Sequence, residues 1–151
     1  GDYLWVGQSS ANWNAAANWF QYDGTNFQPA SVFPTTTSDV YIVPTDGGCI
    51  TATNTTVNVT SNVRNIHIAT GATLVFGSSQ RLNVYGDWTN NGAITNSGTS
   101  TVAFMGAATQ TVNTGGNGST PNKRVAQVIQ DKNAGSVIQN GAKLNNANQS
   151  R

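Results

Sequence analysis

The chain has 151 residues, enough for one domain around one core, and only 9% of them are charged, against roughly 25% in ordinary domains. Seven Lys and Arg stand against six Asp and no Glu. The net charge is +1, and Lys123-Arg124 is the one adjacent basic pair, which leaves no footprint for nucleic acid. No apolar run approaches the roughly 20 residues of a spanning helix, so membrane insertion is not expected, and the single Cys49 excludes an internal disulfide framework or a Cys-based zinc site.

Polar uncharged residues carry the composition: Asn and Thr occur 20 times each, Gly 16 and Ser 12. Val, Ile and Thr alternate with polar positions and aromatics make up 9%, so the chain reads as ordered and β-rich rather than disordered. Solubility carried by amides and hydroxyls, with almost no cysteine or charge, suits an extracellular bacterial surface protein better than a cytosolic enzyme.

Residues 1–39 read as an N-terminal cap. Three of the four tryptophans, Trp5, Trp13 and Trp19, fall within the first nineteen residues. In "NWNAAAN", Asn12 or Asn14 is expected to cap one short helical turn through its side-chain oxygen. "WFQYDGTNFQP" contains Asp23-Gly24, a two-residue hairpin signal flanked by Tyr22 and Phe27. The prolines (Pro29, Pro34, Pro44, Pro121) mark loops or strand starts.

From residue 40 the chain becomes a series of short strands. They are "VYIV" (40–43), a "DGG" turn (46–48), "TVNVT" (56–60), "VRNIHIA" (63–69), "GATLVFG" (71–77), "RLNVYGDW" (81–88), "STVAFMG" (100–106) and "QTVN" (110–113). Apolar residues alternate within them, at Val57/Val59, Ile66/Ile68, Leu74/Phe76, Leu82/Val84 and Val102/Phe104, which puts one set inside and the polar set in water. "GATLVFGSSQRLNVYG" (71–86) also resembles "GSVIQNGAKLNNAN" (135–148), with Gly71 matching Gly135, Leu74 matching Ile138, Gly77 matching Gly141 and Leu82 matching Leu144. Self-similarity of this kind favours stacked coils. The expected fold is all-β, a parallel β-helix or β-solenoid over 40–151 with an aromatic-rich cap at 1–39, forming one structural unit. An antiparallel β-sandwich is the alternative. The stretch 114–127 reads as a long loop or a bulged coil. "KLNNANQSR" carries no plug and reads as though another rung should follow.

"WVGQSSANWNAAANW", "SDVYIVP", "NIHIATGATLVF" and "LNVYGDWTNNGAI" followed by "GTSTVAFMGAATQTV" resemble secreted repeat proteins of bacteria that use the type IX secretion route. Their modules open with a Trp-x-Gly and Trp-Asn-x-Ala-x-Asn-Trp signature, and the likeness covers roughly residues 3–144. It implies export, a surface or matrix location, and a parallel β-helix-like fold. Many such proteins are large adhesins with further modules and a sorting domain, which is not visible here. The segment "QYDGTNFQPASV" departs from the shorter turn of those modules, so the role of the 20–33 insertion stays open. The resemblance brings no catalytic residues.

Two readings compete for the aromatic cap. Trp5, Trp13, Trp19 and Tyr22 could form a platform for sugar rings, with Asn12, Asn14 and Asn18 bonding hydroxyls. Alternatively the indoles plug the first rung, each removing roughly 150–250 Å² from water, and this reading is preferred. His67, between Ile66 and Ile68, is expected to point outward into solvent, and without a second His it makes no zinc site. Asp87, beside Trp88, reads as a turn-capping residue rather than half of a glycosidase pair. Asn ladders between stacked rungs are expected as structural devices. No enzyme, metal or cofactor is expected. The function inferred is a non-catalytic extracellular structural or adhesive surface protein. It would be a filament or matrix subunit that self-associates by strand complementation or binds other surface proteins. A carbohydrate-binding module that uses the N-terminal Trp/Asn surface to hold glycans is the alternative.

Overall fold

The computed structural model describes residues 1–44, 54–96, 98–115, 123, 125 and 127–140. Short alternating segments cannot bury a face alone, and here they do so by stacking coil upon coil into a β-solenoid of about three turns. The first coil is β4 (Asp39–Ile42), β5 (Asn54–Val57) and β6 (Ser61–Val63). The second is β7 (Ile66–Ile68), β8 (Thr73–Phe76) and β9 (Arg81–Val84). The third is β10 (Trp88–Asn90), β11 (Ala93–Thr95) and β12 (Thr101–Gly106), followed by β13 (Gln110–Asn113), β14 (Gln127–Lys132) and β15 (Val137–Asn140). Every pairing among these strands is parallel. The antiparallel sandwich is therefore not formed.

Three sheets result. Sheet A is the eight-stranded series β15-β13-β10-β7-β4-β1-β2-β3, sheet B is β11-β8-β5, and sheet C is β14-β12-β9-β6. Strands β1 (Asp2–Trp5), β2 (Trp19–Tyr22) and β3 (Phe27–Pro29) belong to the cap. Register stacks Val40 on Ile66, Ile66 on Trp88, and Trp88 on Val112. Inward residues of all three sheets meet in one apolar column that includes Ile42, Ile68, Leu74, Phe76, Leu82, Val84 and Phe104.

The cap is itself a coil. β1 pairs in parallel with β4 and so begins sheet A one rung earlier. The segment around Asn12 pairs in parallel with Thr56, with the Trp13 amide donating to the Thr56 carbonyl (2.8 Å) and the Thr56 amide to the Ala11 carbonyl (2.7 Å). That covers the edge of β5. The chain then reverses, and β2 pairs antiparallel with β1 and β3 with β2.

Several details differ from the sequence reading. The helical turn is a single 3-10 turn, Ala16–Asn18, whose N-cap is Ala15, so neither Asn12 nor Asn14 caps it by side chain. Tyr22 and Phe27 do face each other across the hairpin, but the loop takes four residues, with Asp23 Oδ1 accepting from the Thr25 and Asn26 amides. "VRNIHIA" and "RLNVYGDW" each hold two strands and a corner rather than one strand.

The repeat at 71–86 and 135–148 does not mark equivalent rungs. β8 lies in sheet B and β15 in sheet A; Leu74 is buried, whereas Ile138 is 52% exposed. Both segments follow a left-handed glycine, Gly71 at φ +86° and Gly135 at φ +72°, because a turn glycine followed by a short strand recurs at corners in general. The "DGG" turn, Cys49, most of 114–127 and the segment 141–151 lie outside the described residues.

Candidate functional site

The predicted sugar platform is not built. Trp5, Trp13 and Trp19 are each 0% exposed, so no indole face is open to a ligand. Trp19 sits at the centre of an edge-to-face cluster, with ring centroids 5.0 Å from Trp5, 4.9 Å from Trp13 and 6.3 Å from Tyr3. Its Nε1 donates to the Trp13 carbonyl (2.8 Å). These rings belong to the same buried cluster as Val40, Ile42, Val57 and Val63 of the first coil.

The three asparagines also serve the cap. Asn18 is fully buried; its Oδ1 accepts from the amides of Ser9 (2.8 Å) and Ser10 (2.9 Å), while its Nδ2 donates to Ser10 Oγ and the Asn12 carbonyl (both 2.9 Å). One side chain thus organises the loop between β1 and the 3-10 turn. Asn14 is exposed and tied to the first coil through Asn58, whose Nδ2 donates to Asn14 Oδ1 (2.7 Å). Asn12 is exposed, and its amide donates to Ser10 Oγ (3.2 Å). Tyr22 is 40% exposed, but it pairs with Phe27 across the hairpin, apart from the buried indoles.

Accessible chemistry gathers elsewhere, on the outer face of sheet A. Strand alternation that buries Val40, Ile66 and Trp88 turns Tyr41, His67 and Thr89 outward, and register sets these three on consecutive rungs. Parallel to them runs a second row at the corner entering sheet A: Asp39, Asn65 and Asp87. Between the rows lies an open groove of about 240 Å³ lined by these six residues together with Val40 and Ile66.

The corner row is a hydrogen-bonded ladder. Arg64 Nε donates to Asp39 Oδ1 (2.7 Å), a second guanidinium nitrogen reaches Asp39 Oδ2, and Asn65 Nδ2 donates to Asp39 Oδ1 (2.9 Å). Asn65 Oδ1 in turn accepts from the Asp87 amide (2.6 Å), and Asp87 Oδ1 accepts from the Thr111 amide (2.8 Å) on the next coil. Asp87 therefore crosses between coils instead of capping its own turn. Only glycine fits at position 86, where a Cβ would run into Asn65 Oδ1 and lie 2.9 Å from the Arg64 carbonyl. A shorter amide ladder exists on sheet C, where Asn83 Nδ2 donates to Asn62 Oδ1 (3.0 Å).

The Arg64 guanidinium holds the Asp39 carboxyl below the usual carboxylate range, against a smaller opposing effect of partial burial. Burial first, then the charges of Asp2 and Asp39, raise the Tyr41 hydroxyl pKa, so the phenol stays a donor at neutral pH. Tyr41 and His67 rings stand 6.2 Å apart at 39°, wider than the roughly 4.8 Å between strands, so they splay rather than stack. His67 does point outward, as alternation requires. Among the described residues no group of three His, Cys, Asp or Glu is placed to hold a metal ion.

The sequence alone singles out His67 and Asp87 separately and gives no signal for Asp39, Tyr41, Asn65 or Thr89. Their juxtaposition depends on coil lengths, and Val40, Ile66 and Trp88 are separated by unequal stretches of chain. No family model, curated protein sequence or solved structure matches the chain.

Proposed function

We propose that this chain is a non-catalytic, extracellular structural or adhesive protein of the bacterial surface. The observation that carries this reading is the outer face of sheet A, where parallel coils hold aromatic, amide and carboxylate side chains in two straight rows beside an open groove. Such a face is rigid before any partner arrives, because its residues are fixed by main-chain ladders and by the corner bonds of Asp39, Asn65 and Asp87. Preorganised surfaces lose little entropy on binding, which favours attachment. The resemblance to type IX-exported repeat proteins and the amide-rich, charge-poor composition support a location outside the cell.

Self-association by strand addition is compatible with open-ended solenoids. The segment invoked for it in the sequence, 143–151, lies outside the described residues. Labelling intact producing cells with an antibody to the folded chain tests the location: strong labelling removed by external protease is expected. Signal only after lysis would overturn the proposal. Electron microscopy of the native material separates the two forms of it, since fibres with an axial repeat indicate a polymer and isolated particles a monomeric adhesive module.

A further inference from the structure

The groove on sheet A has the chemistry of a sugar site, and we infer that it binds a neutral carbohydrate between the row of Tyr41, His67 and Thr89 on one side and Asp87 on the other. This rests on the adhesive reading and names the partner class for the same face.

Sugar rings present two kinds of surface. Their C–H faces pack against aromatic rings, and their hydroxyls seek strong acceptors and paired donors. Both are present here within one groove. Tyr41 is 40% exposed, its ring is tilted 39° from that of His67 at 6.2 Å rather than stacked on it, and both residues line the groove. Asp87 uses Oδ1 to hold the Thr111 amide, while Oδ2 has no partner among the described residues. The hydroxyls of Tyr41 and Thr89 likewise make no side-chain hydrogen bond there. A carboxylate fixed through one oxygen and open at the other is a preorganised acceptor for a pair of sugar hydroxyls.

Charge selects among sugars. Arg64 neutralises Asp39, whereas Asp87 has no ion-pair partner among the described residues, so the groove is net negative. Sialylated, uronic or sulfated glycans would meet an uncompensated carboxylate. A neutral, hydroxyl-rich ring meets none of that repulsion.

The test applies the full chain to an array of neutral, sialylated and sulfated oligosaccharides, then titrates the strongest neutral oligosaccharide calorimetrically. Binding confined to neutral glycans is expected. Tyr41→Ala and Asp87→Ala should each weaken it by about tenfold or more, which corresponds to about 1.4 kcal/mol, while Tyr41→Phe stays within a few-fold. Melting temperatures establish that each variant is folded. Should Asp87→Ala melt early, Asp87→Asn, which keeps the oxygen facing Thr111, replaces it and should still lose affinity. Absence of neutral-glycan binding, preference for anionic glycans, or full affinity in both Tyr41→Ala and the folded Asp87 variant would overturn the inference. Beads coated with the chain that still adhere to cells while the array stays blank would leave the adhesive reading standing and sink only the sugar site. Beads that fail to adhere count against the adhesive reading itself.

Discussion

Trp19 and Trp88 are both buried completely, yet their indole nitrogens differ. Trp19 Nε1 donates to the Trp13 carbonyl, whereas Trp88 Nε1 has no partner among the described residues. Phenylalanine at either site removes similar volume, but at position 19 it also strands a buried carbonyl. Trp19→Phe should therefore cost roughly 1–3 kcal/mol more than Trp88→Phe, read from urea midpoints at unchanged slope. Equal losses would mean that the Trp13 carbonyl finds another donor. Asn18 shows the same economy of bonding with a polar side chain, since burial at 0% exposure is offset by bonds at both its oxygen and its nitrogen.

Among the elements, the corners decide what the sheets can hold. Arg64, Asn65 and Asp87 sit where the chain turns from sheet C to sheet A, and their bonds tie successive coils together outside the main-chain ladders. Asp39 makes this corner acid-sensitive. Its folded pKa lies below the ordinary 3.8, so its contribution is complete above that value and is lost as pH falls through the lower folded value. Asp23, held by the Thr25 and Asn26 amides, adds to the same acid limb. Asp39→Asn should give a shallower loss of stability below about pH 4 than the parent chain, by denaturant titration at successive pH values. An unchanged acid limb would mean that the Arg64 pairing contributes nothing to the fold in solution.

The strands were legible because period-two alternation is a direct imprint of burial, and Leu82/Val84 or Val102/Phe104 are buried as their spacing requires. Corners were harder to read. Between Val63 and Ile66 the inward parity shifts by one residue, a signal present in the sequence. Between Val84 and Trp88 the corner consumes an odd number of residues, parity is kept, and the text runs on as though one strand continued. The cap tryptophans could be assigned to the core from their number, while the groove could not be seen. It needs Asp39, Asn65 and Asp87 to share a row, and alternation says nothing of which rung lies above which.

Across the whole molecule the core changes character from one end to the other. Inward positions of sheet A pass from Trp5 and Ile42 through Ile68 to Asn90 and Thr114, and in sheet C the row Val63, Val84, Phe104 ends at the exposed Gln130. β15 has no fully buried residue. Because each coil touches chiefly its neighbours, stability follows this gradient locally. Amide hydrogen exchange should be fastest in β14 and β15 and slowest in β4, β7 and β10. Uniform protection across all strands would show a single cooperative unit instead.

The parallel pairing of β1 with β4, and of Asn12 with Thr56, also bears on how the fold is reached. A rung that is already closed by its own aromatic cluster offers a finished template, and the next length of chain has only to be laid down upon it. Folding can then keep pace with a chain delivered amino-terminus first, one coil at a time, with each unpaired edge covered by the segment that follows.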